Sequence, residues 1–234
     1  MRMELKAPAS WKELSREQLV AVATTLRLML TRDEMLVALF CLLADVKLER
    51  DGKSWTLMHG KDVAVIQEEE IADLCGRFAW ILDTEPTGVT NMSQADDFIR
   101  DLTFEDWFQA DTLFRLYEDD GDITHFAEIL QFLKETPRKL SDGEATAYRW
   151  WWWSVQDFLS DSYPNVLEKK AAGTDPSPYE PFKTLQDFHL LLNDNHPQEN
   201  DRIDKTNVHD VLSALDNKIA MLRYKQEQIN RMKP

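Results

Sequence analysis

The sequence predicts a mainly α-helical protein: a multi-helix single domain with one small β-hairpin at about residues 46–59 and a long C-terminal helix. Three observations carry that reading. Capping boxes stand ahead of apolar-periodic stretches at Ser15 with Gln18, Thr31 with Glu34 and Ser141 with Glu144. Between Val46 and His59 the apolar period changes to two around Asp51-Gly52, the signature of a hairpin turn. Near the end, Val208, Leu212, Leu215, Ile219, Leu222, Gln226 and Ile229 recur at alternating spacings of four and three, a heptad seam.

The four consecutive tryptophans, Trp150 to Trp153, organise the middle of the chain. On a helix opened by Ser141 and running to about Leu159, successive side chains point about 100° apart. Each indole carries roughly 150–250 Å² to bury, so this helix is expected to be surrounded by the body. One or two indoles, with Trp150 and Trp153 as the candidates, would reach the surface as partner contacts. The apolar stripes as a whole predict a core containing Leu26, Leu39, Phe78, Phe126, Trp151 and Phe158.

Taken in order, residues 2–6 read as a short strand. Leu14 can staple onto Leu19 in a helix that shows Leu19, Val22, Leu26, Met29 and Leu30 on one side. A second helix follows from Thr31 with almost no loop, so the pair must form a hairpin or a sharp corner. Glu68 to Leu82 reads as one helix, with Ile71, Leu74, Cys75, Phe78, Ile81 and Leu82 on a stripe. Its first-turn acids Glu68, Glu69 and Glu70 suit the helix dipole. After a polar connection over 83–102, Thr103 opens a helix that ends at Asp119-Asp120-Gly121-Asp122. The next shows Ile123, Phe126, Leu130 and Leu133 and stops at Pro137. Residues 1–170 form the expected helical core domain. Residues 171–205 are a linker or strap with a short helix through Leu185, Phe188, His189 and Leu192, and Asn193 to Lys205 is expected to be mobile. Residues 206–234 are the heptad-patterned helix.

Composition narrows the partners. The 27 Lys and Arg stand against 42 Asp and Glu, a formal net charge of −15 over 234 residues. Such a balance repels phosphate backbones and anionic lipid heads, so neither nucleic acid nor membrane is an expected partner. Met1 to Lys6 lacks the apolar core of a signal peptide, and the longest apolar run, Met35 to Ala44, is too short to span a bilayer. The expected location is cytoplasmic. Cys41 and Cys75 lie in apolar helical patterns and are expected to be buried free thiols.

No chemistry emerges. The five histidines share no metal-ligand spacing with each other or with the cysteines. Gly52-Lys53-Ser54 lacks the upstream glycine of a phosphate-binding loop, since Lys47 stands there, and no helix follows. Asp119 to Asp122 lacks the ligand spacing of a calcium loop. No catalytic, cofactor-binding or metal residue is expected, and the chain is not expected to be an enzyme.

Charge is also distributed unevenly. Residues 96–122 hold ten acids, Asp96 to Asp122, against Arg100 and Arg115. Residues 218–234 hold Lys218, Arg223, Lys225, Arg231 and Lys233 against Glu227. In a parallel homodimer Lys218 would meet the second copy's Arg223, so a parallel coiled-coil dimer is excluded while other homo-oligomers stay open. The helix is expected to dock on its own acidic body or on an acidic neighbour through Leu212, Leu215, Ile219, Leu222 and Ile229.

Trp11-Lys-Glu-Leu14-Ser15-Arg-Glu-Gln18 resembles the opening of prophage-encoded proteins from tail-gene regions, tail-assembly chaperone-like ones among them. The tryptophan helix closing on Tyr163-Pro164, and the ending Val208-His209 to Leu215, are similar in general pattern. The resemblance implies a non-catalytic assembly or scaffolding protein, or an accessory virion protein, with a tail or other virion component as partner. It would be cytoplasmic or virion-associated. A second class is an acidic inhibitor or immunity-type binder whose 96–122 surface blocks a basic one. Regular carboxylate spacing on one exposed face would favour that class, whereas these acids cluster near loops and around one helix.

Overall fold

The computed structural model describes residues 5, 7–52, 54–89, 92, 101–167, 181–194 and 196–232. Residues 2–4 and 6 of the expected strand, half of the 83–102 connection and residues 171–180 of the strap lie outside the described residues. The chain divides into two compact units: Met1–Met92 with Leu140–Ser154, and Ser93–Lys139 with Val155–Pro234. The body expected over 1–170 is thus shared between them.

In the first unit, helix α1 (Arg16–Leu26) starts where Ser15 Oγ accepts from Gln18 N and Gln18 Oε1 accepts from Ser15 N at 2.9 Å. Helix α2 (Arg32–Leu43) is opened in the same way by Thr31 and Glu34. Both capping boxes satisfy amides that would otherwise lack partners. Leu14, Leu19, Val22 and Leu39 are fully buried. The apolar side of α1 is shorter than its sequence stripe. Leu28 N bonds back to Thr25 O, which closes the helix, and Met29 and Leu30 fall in the exposed corner. Leu26 is only half-buried for the same reason.

The expected hairpin is present, and it has a third strand. β1 (Lys47–Asp51), β2 (Ser54–His59) and β3 (Asp62–Gln67) form an antiparallel sheet in that order, with Arg50 opposite Trp55 and Thr56 opposite Val65. Gly60, at φ 59°, makes the second turn, a conformation that glycine adopts without strain. Val63, Ala64, Val65 and Ile66 put apolar residues on both faces, so β3 shows no alternation to read.

The helix expected over Glu68–Leu82 is two helices, α3 (Glu68–Gly76) and α4 (Trp80–Asp83). Between them Phe78 N bonds to Cys75 O three residues back, a tighter turn at which Phe78 enters the core.

The tryptophan helix, α7 (Asp142–Ser162), is capped as expected by Ser141 and Glu144. Its part up to Ser154 belongs to the first unit. A Cβ at Gly143 would stand 2.0 Å from Thr24 Oγ1 and 3.2 Å from the Val20 carbonyl oxygen, so only glycine permits this approach of α7 to α1. Gly143→Ala is expected to cost about 1–3 kcal/mol through overpacking. An unchanged urea midpoint for that variant would show that the approach is not close.

The second unit holds α5 (Phe104–Asp120), a 3-10 turn at Ile123–His125 and α6 (Phe126–Phe132). Thr103 caps α5 through Asp106 N at 3.1 Å, and Gly121 at φ 71° ends it. Helix α8 (Pro181–Leu192) is the expected short helix. The stretch 193–205, expected to be mobile, forms a 3-10 turn (Pro197–Glu199) and helix α9 (Asn200–Asp204). Buried Ile203 and the bond from His189 Nε2 to Asp204 Oδ1 at 2.7 Å anchor it. Helix α10 (Val208–Met232) closes the chain. Phe104 N bonds to Thr206 O and Val208 N to Leu102 O, which ties the starts of α5 and α10 together.

Candidate contact surfaces

The four indoles of α7 divide three to one. Trp150, Trp151 and Trp152 are buried, while Trp153 is 38% exposed. Trp150 stands 5.2 Å from Trp11, which meets Trp80 edge-on at 5.4 Å and donates from Nε1 to Thr84 Oγ1 at 3.1 Å. Trp151 lies between Tyr148 and Trp152, at 6.3 and 5.8 Å between ring centroids. Ser154, also buried, accepts from Val89 N at 2.9 Å. The Arg149 guanidinium sits 4.5 Å above the Trp153 ring, a cation–π contact at the surface.

This arrangement corrects the expectation of a helix with no wet face. Asp142, Thr146, Arg149, Trp153, Asp157 and Ser160 recur at spacings of three and four, and none of them is buried. Four residues at 100° intervals leave room for that narrow stripe, and Trp153 falls on it. The polar spacing was legible in the sequence, but the tryptophans masked it. Phe158, expected in the core, is 40% exposed and faces the His209 ring at 6.4 Å. Trp150, offered as a partner contact, is spent on Trp11.

The proposed contact row on α10 is also split. Val208, Val211, Leu212 and Leu215 are buried in their own unit, so Leu212 and Leu215 do not reach solvent. Ile219 is half-buried, and every residue from Ala220 to Glu227 is exposed. Leu222 is 48% and Ile229 47% exposed, with Met221, Tyr224 and Met232 also at the surface. Where the helix leaves the body it is held laterally. Asp216 accepts from Asn165 N and Nδ2 at 2.7 and 3.0 Å, Arg223 Nη1 donates to Asn165 Oδ1 at 3.1 Å, and Lys218 pairs with Asp194. Tyr163 Oη and His209 Nδ1 lie 2.7 Å apart nearer the anchored end.

Several acids of the 96–122 stretch serve the fold of the second unit. Asp111 is buried between Arg115 Nε at 2.7 Å and Gln156 Nε2 at 3.0 Å. Asp106 pairs with Lys134, and Asp122 caps Thr124 N at 2.9 Å. Asp120 bonds His125 Nε2 at 2.8 Å and accepts from Asp122 N. The His125 bond first, then that amide, hold the Asp120 carboxyl below its ordinary range. Asp96 and Asp97 lie outside the described residues.

Each unit has an open cleft. The larger, about 750 Å³, is lined by residues including Thr25, Cys41, Asp45, Lys47 and Met58. The other, about 300 Å³, lies against Phe182, Leu185, His189, Leu190 and Asn193. Both cysteines carry free thiols, Cys75 buried and Cys41 half-buried. Burial, with the neighbouring Cys41 charge second, pushes the Cys75 thiol up to about 11. Cys41 is raised by burial as well, so both thiols stay protonated near neutral pH. Among the described residues no three His, Cys, Asp or Glu side chains converge as a metal site, and no helix is long and apolar enough to cross a membrane.

What the fold and these surfaces define is a mainly helical protein with a small antiparallel sheet and a terminal helix half sunk in its own unit and half exposed. No protein-family model, curated protein or solved structure matches the chain.

Proposed function

We propose that the chain is a non-catalytic assembly or scaffolding protein, or an accessory structural one, that holds a protein partner through the exposed half of α10. The observation that supports this reading is the continuation of one apolar row from buried Leu212 and Leu215 into exposed Leu222 and Ile229. A row of that kind outside the core is the sort of apolar surface that marks interaction sites. The resemblance to prophage tail-region proteins makes a tail or other virion component the partner of choice. The protein would then act in the cytoplasm during assembly or remain with the virion. The inhibitor reading has less behind it, because Asp106 and Asp111 are turned to Lys134 and to Arg115 and Gln156, and Asp120 and Asp122 are bonded to His125 and Thr124 around one turn.

The test is co-purification from the native host with the full chain and with a chain ending at Ala220. Virion structural proteins are expected on the full chain and absent from the shortened one. Equal recovery on both, or no virion protein on either, would refute the reading.

A further inference from the structure

We infer that the free edge of the small sheet, strand β3, is a self-association site that pairs antiparallel with β3 of a second copy, centred on Ala64. This contact is separate from the exposed half of α10, so it can fail while the functional reading above holds.

Both outer strands of the sheet are edges, and they differ in protection. β1 carries Lys47, Glu49, Arg50 and Asp51, the kind of charged edge that discourages a further strand. β3 has Asp62 at its start and then Val63, Ala64, Val65 and Ile66, with no proline and no further charge. Its register against β2 runs without a bulge. Val63 is 63% and Val65 67% exposed, and both lie on one face of the strand.

Alternate residues of an antiparallel strand aim their N–H and C=O groups to opposite sides. His59 and Asp62 flank the tight turn at Gly60-Lys61, which makes them a bonded pair, so Ala64 and Ile66 also face β2. Val63, Val65 and Gln67 therefore face the open edge. Gln67 N accordingly donates to Glu70 Oε2 at 2.9 Å. Among the described residues nothing bonds to the outward groups of Val63 and Val65.

A second copy meets those groups in one register. With Ala64 at the centre, Val63 stands opposite Val65 of the second copy and Val65 opposite its Val63. Each exchanges both outward groups, and the exposed valines meet on one face. Centring on Val65 would call on Gln67 N, which Glu70 already holds. A one-residue slip would set the valines against groups aimed away from them. The Ala64 register also places Lys61 opposite Gln67 of the second copy, beside the first turn of that copy's α3. In that turn Glu68 is paired with Arg50, and Glu70 holds Gln67 N. Glu69 is exposed and, like Lys61, has no ion-pair or hydrogen-bond partner among the described residues. Two-fold symmetry makes the Lys61 to Glu69 approach on both sides of the axis. A strand of another protein could use the same backbone groups, whereas a second copy also brings the matching valines, lysine and glutamate. At a net charge of −15 the copies repel at long range, so a weak, reversible dimer is expected.

Sedimentation equilibrium of the full chain up to about 1 mM reads the dimer constant. A concentration-dependent monomer–dimer equilibrium is expected. The double variant Val63→Lys, Val65→Lys sets like charges opposite each other and is expected to stay monomeric. Its circular dichroism melt is expected to match the parent, because both side chains are already exposed. Lys61→Glu is expected to weaken the dimer by about 2–30-fold, the worth of two cross-strand charge pairs, and adding Glu69→Lys is expected to restore it. A parent chain that stays monomeric, a folded valine variant that still dimerises, or a charge swap no tighter than Lys61→Glu alone would overturn the inference. If the valine variant fails to fold, the charge swap decides by itself.

Discussion

Trp151→Ala is expected to destabilise the protein by about 3–5 kcal/mol, the range for truncating a fully buried large aromatic. Trp151 has no exposed surface, and its indole is packed between Tyr148 and Trp152. Alanine would leave a void that the neighbouring rings, set at fixed turns of the same helix, cannot collapse to fill. Two positions along, Trp153→Ala removes a partly exposed ring and one cation–π contact, at a cost of about 1 kcal/mol. Urea denaturation of the two variants reads the contrast directly. Equal losses would mean that α7 has no wet stripe.

Deleting α10 in two steps should produce two distinct results. A chain ending at Lys205 loses Val208, Val211, Leu212 and Leu215 from the second unit. At about 1.5–3 kcal/mol for each buried aliphatic side chain, the loss is comparable with the whole stability of a typical domain, about 5–15 kcal/mol. It also removes the Thr206 carbonyl that accepts from Phe104 N and the Val208 N–H that donates to Leu102 O. Loss of a cooperative melt for that unit is the expected outcome. A chain ending at Ala220 gives up mostly exposed side chains, with the Arg223 contact to Asn165 among what is lost. Its melting temperature should stay within a few degrees of the parent. A large fall for the shorter deletion would show that the exposed half is part of the core after all.

The capped helices were legible because their signals are local. Ser15, Thr31, Thr103 and Ser141 act on amides within one turn, so three or four residues contain the whole argument. Elements settled by distant contacts were harder to read. The break between α3 and α4 follows from Phe78 being pulled into the core, and α9 is held by Ile203 and by a histidine on another helix. The heptad row on α10 was correct as a pattern, but nothing in the pattern says where burial ends. That depends on the reach of the unit beneath it, which runs out near Ile219. The same limit applies to Trp150 and Phe158. Their apolar character predicts burial, and which of them achieves it depends on whether a partner such as Trp11 stands opposite.

Each compact unit is assembled from two separate stretches of chain, and this bears on synthesis. When residues up to Met92 have emerged from the ribosome, the first unit still lacks Leu140–Ser154, which carry the Trp150 ring that packs on Trp11. At about 5–20 residues per second, the intervening segment takes several seconds to be added. Through that interval the nascent chain exposes aromatic surface that only its own later residues can cover. A ribosome stalled between Met92 and Ser154 would therefore present the first unit half-built.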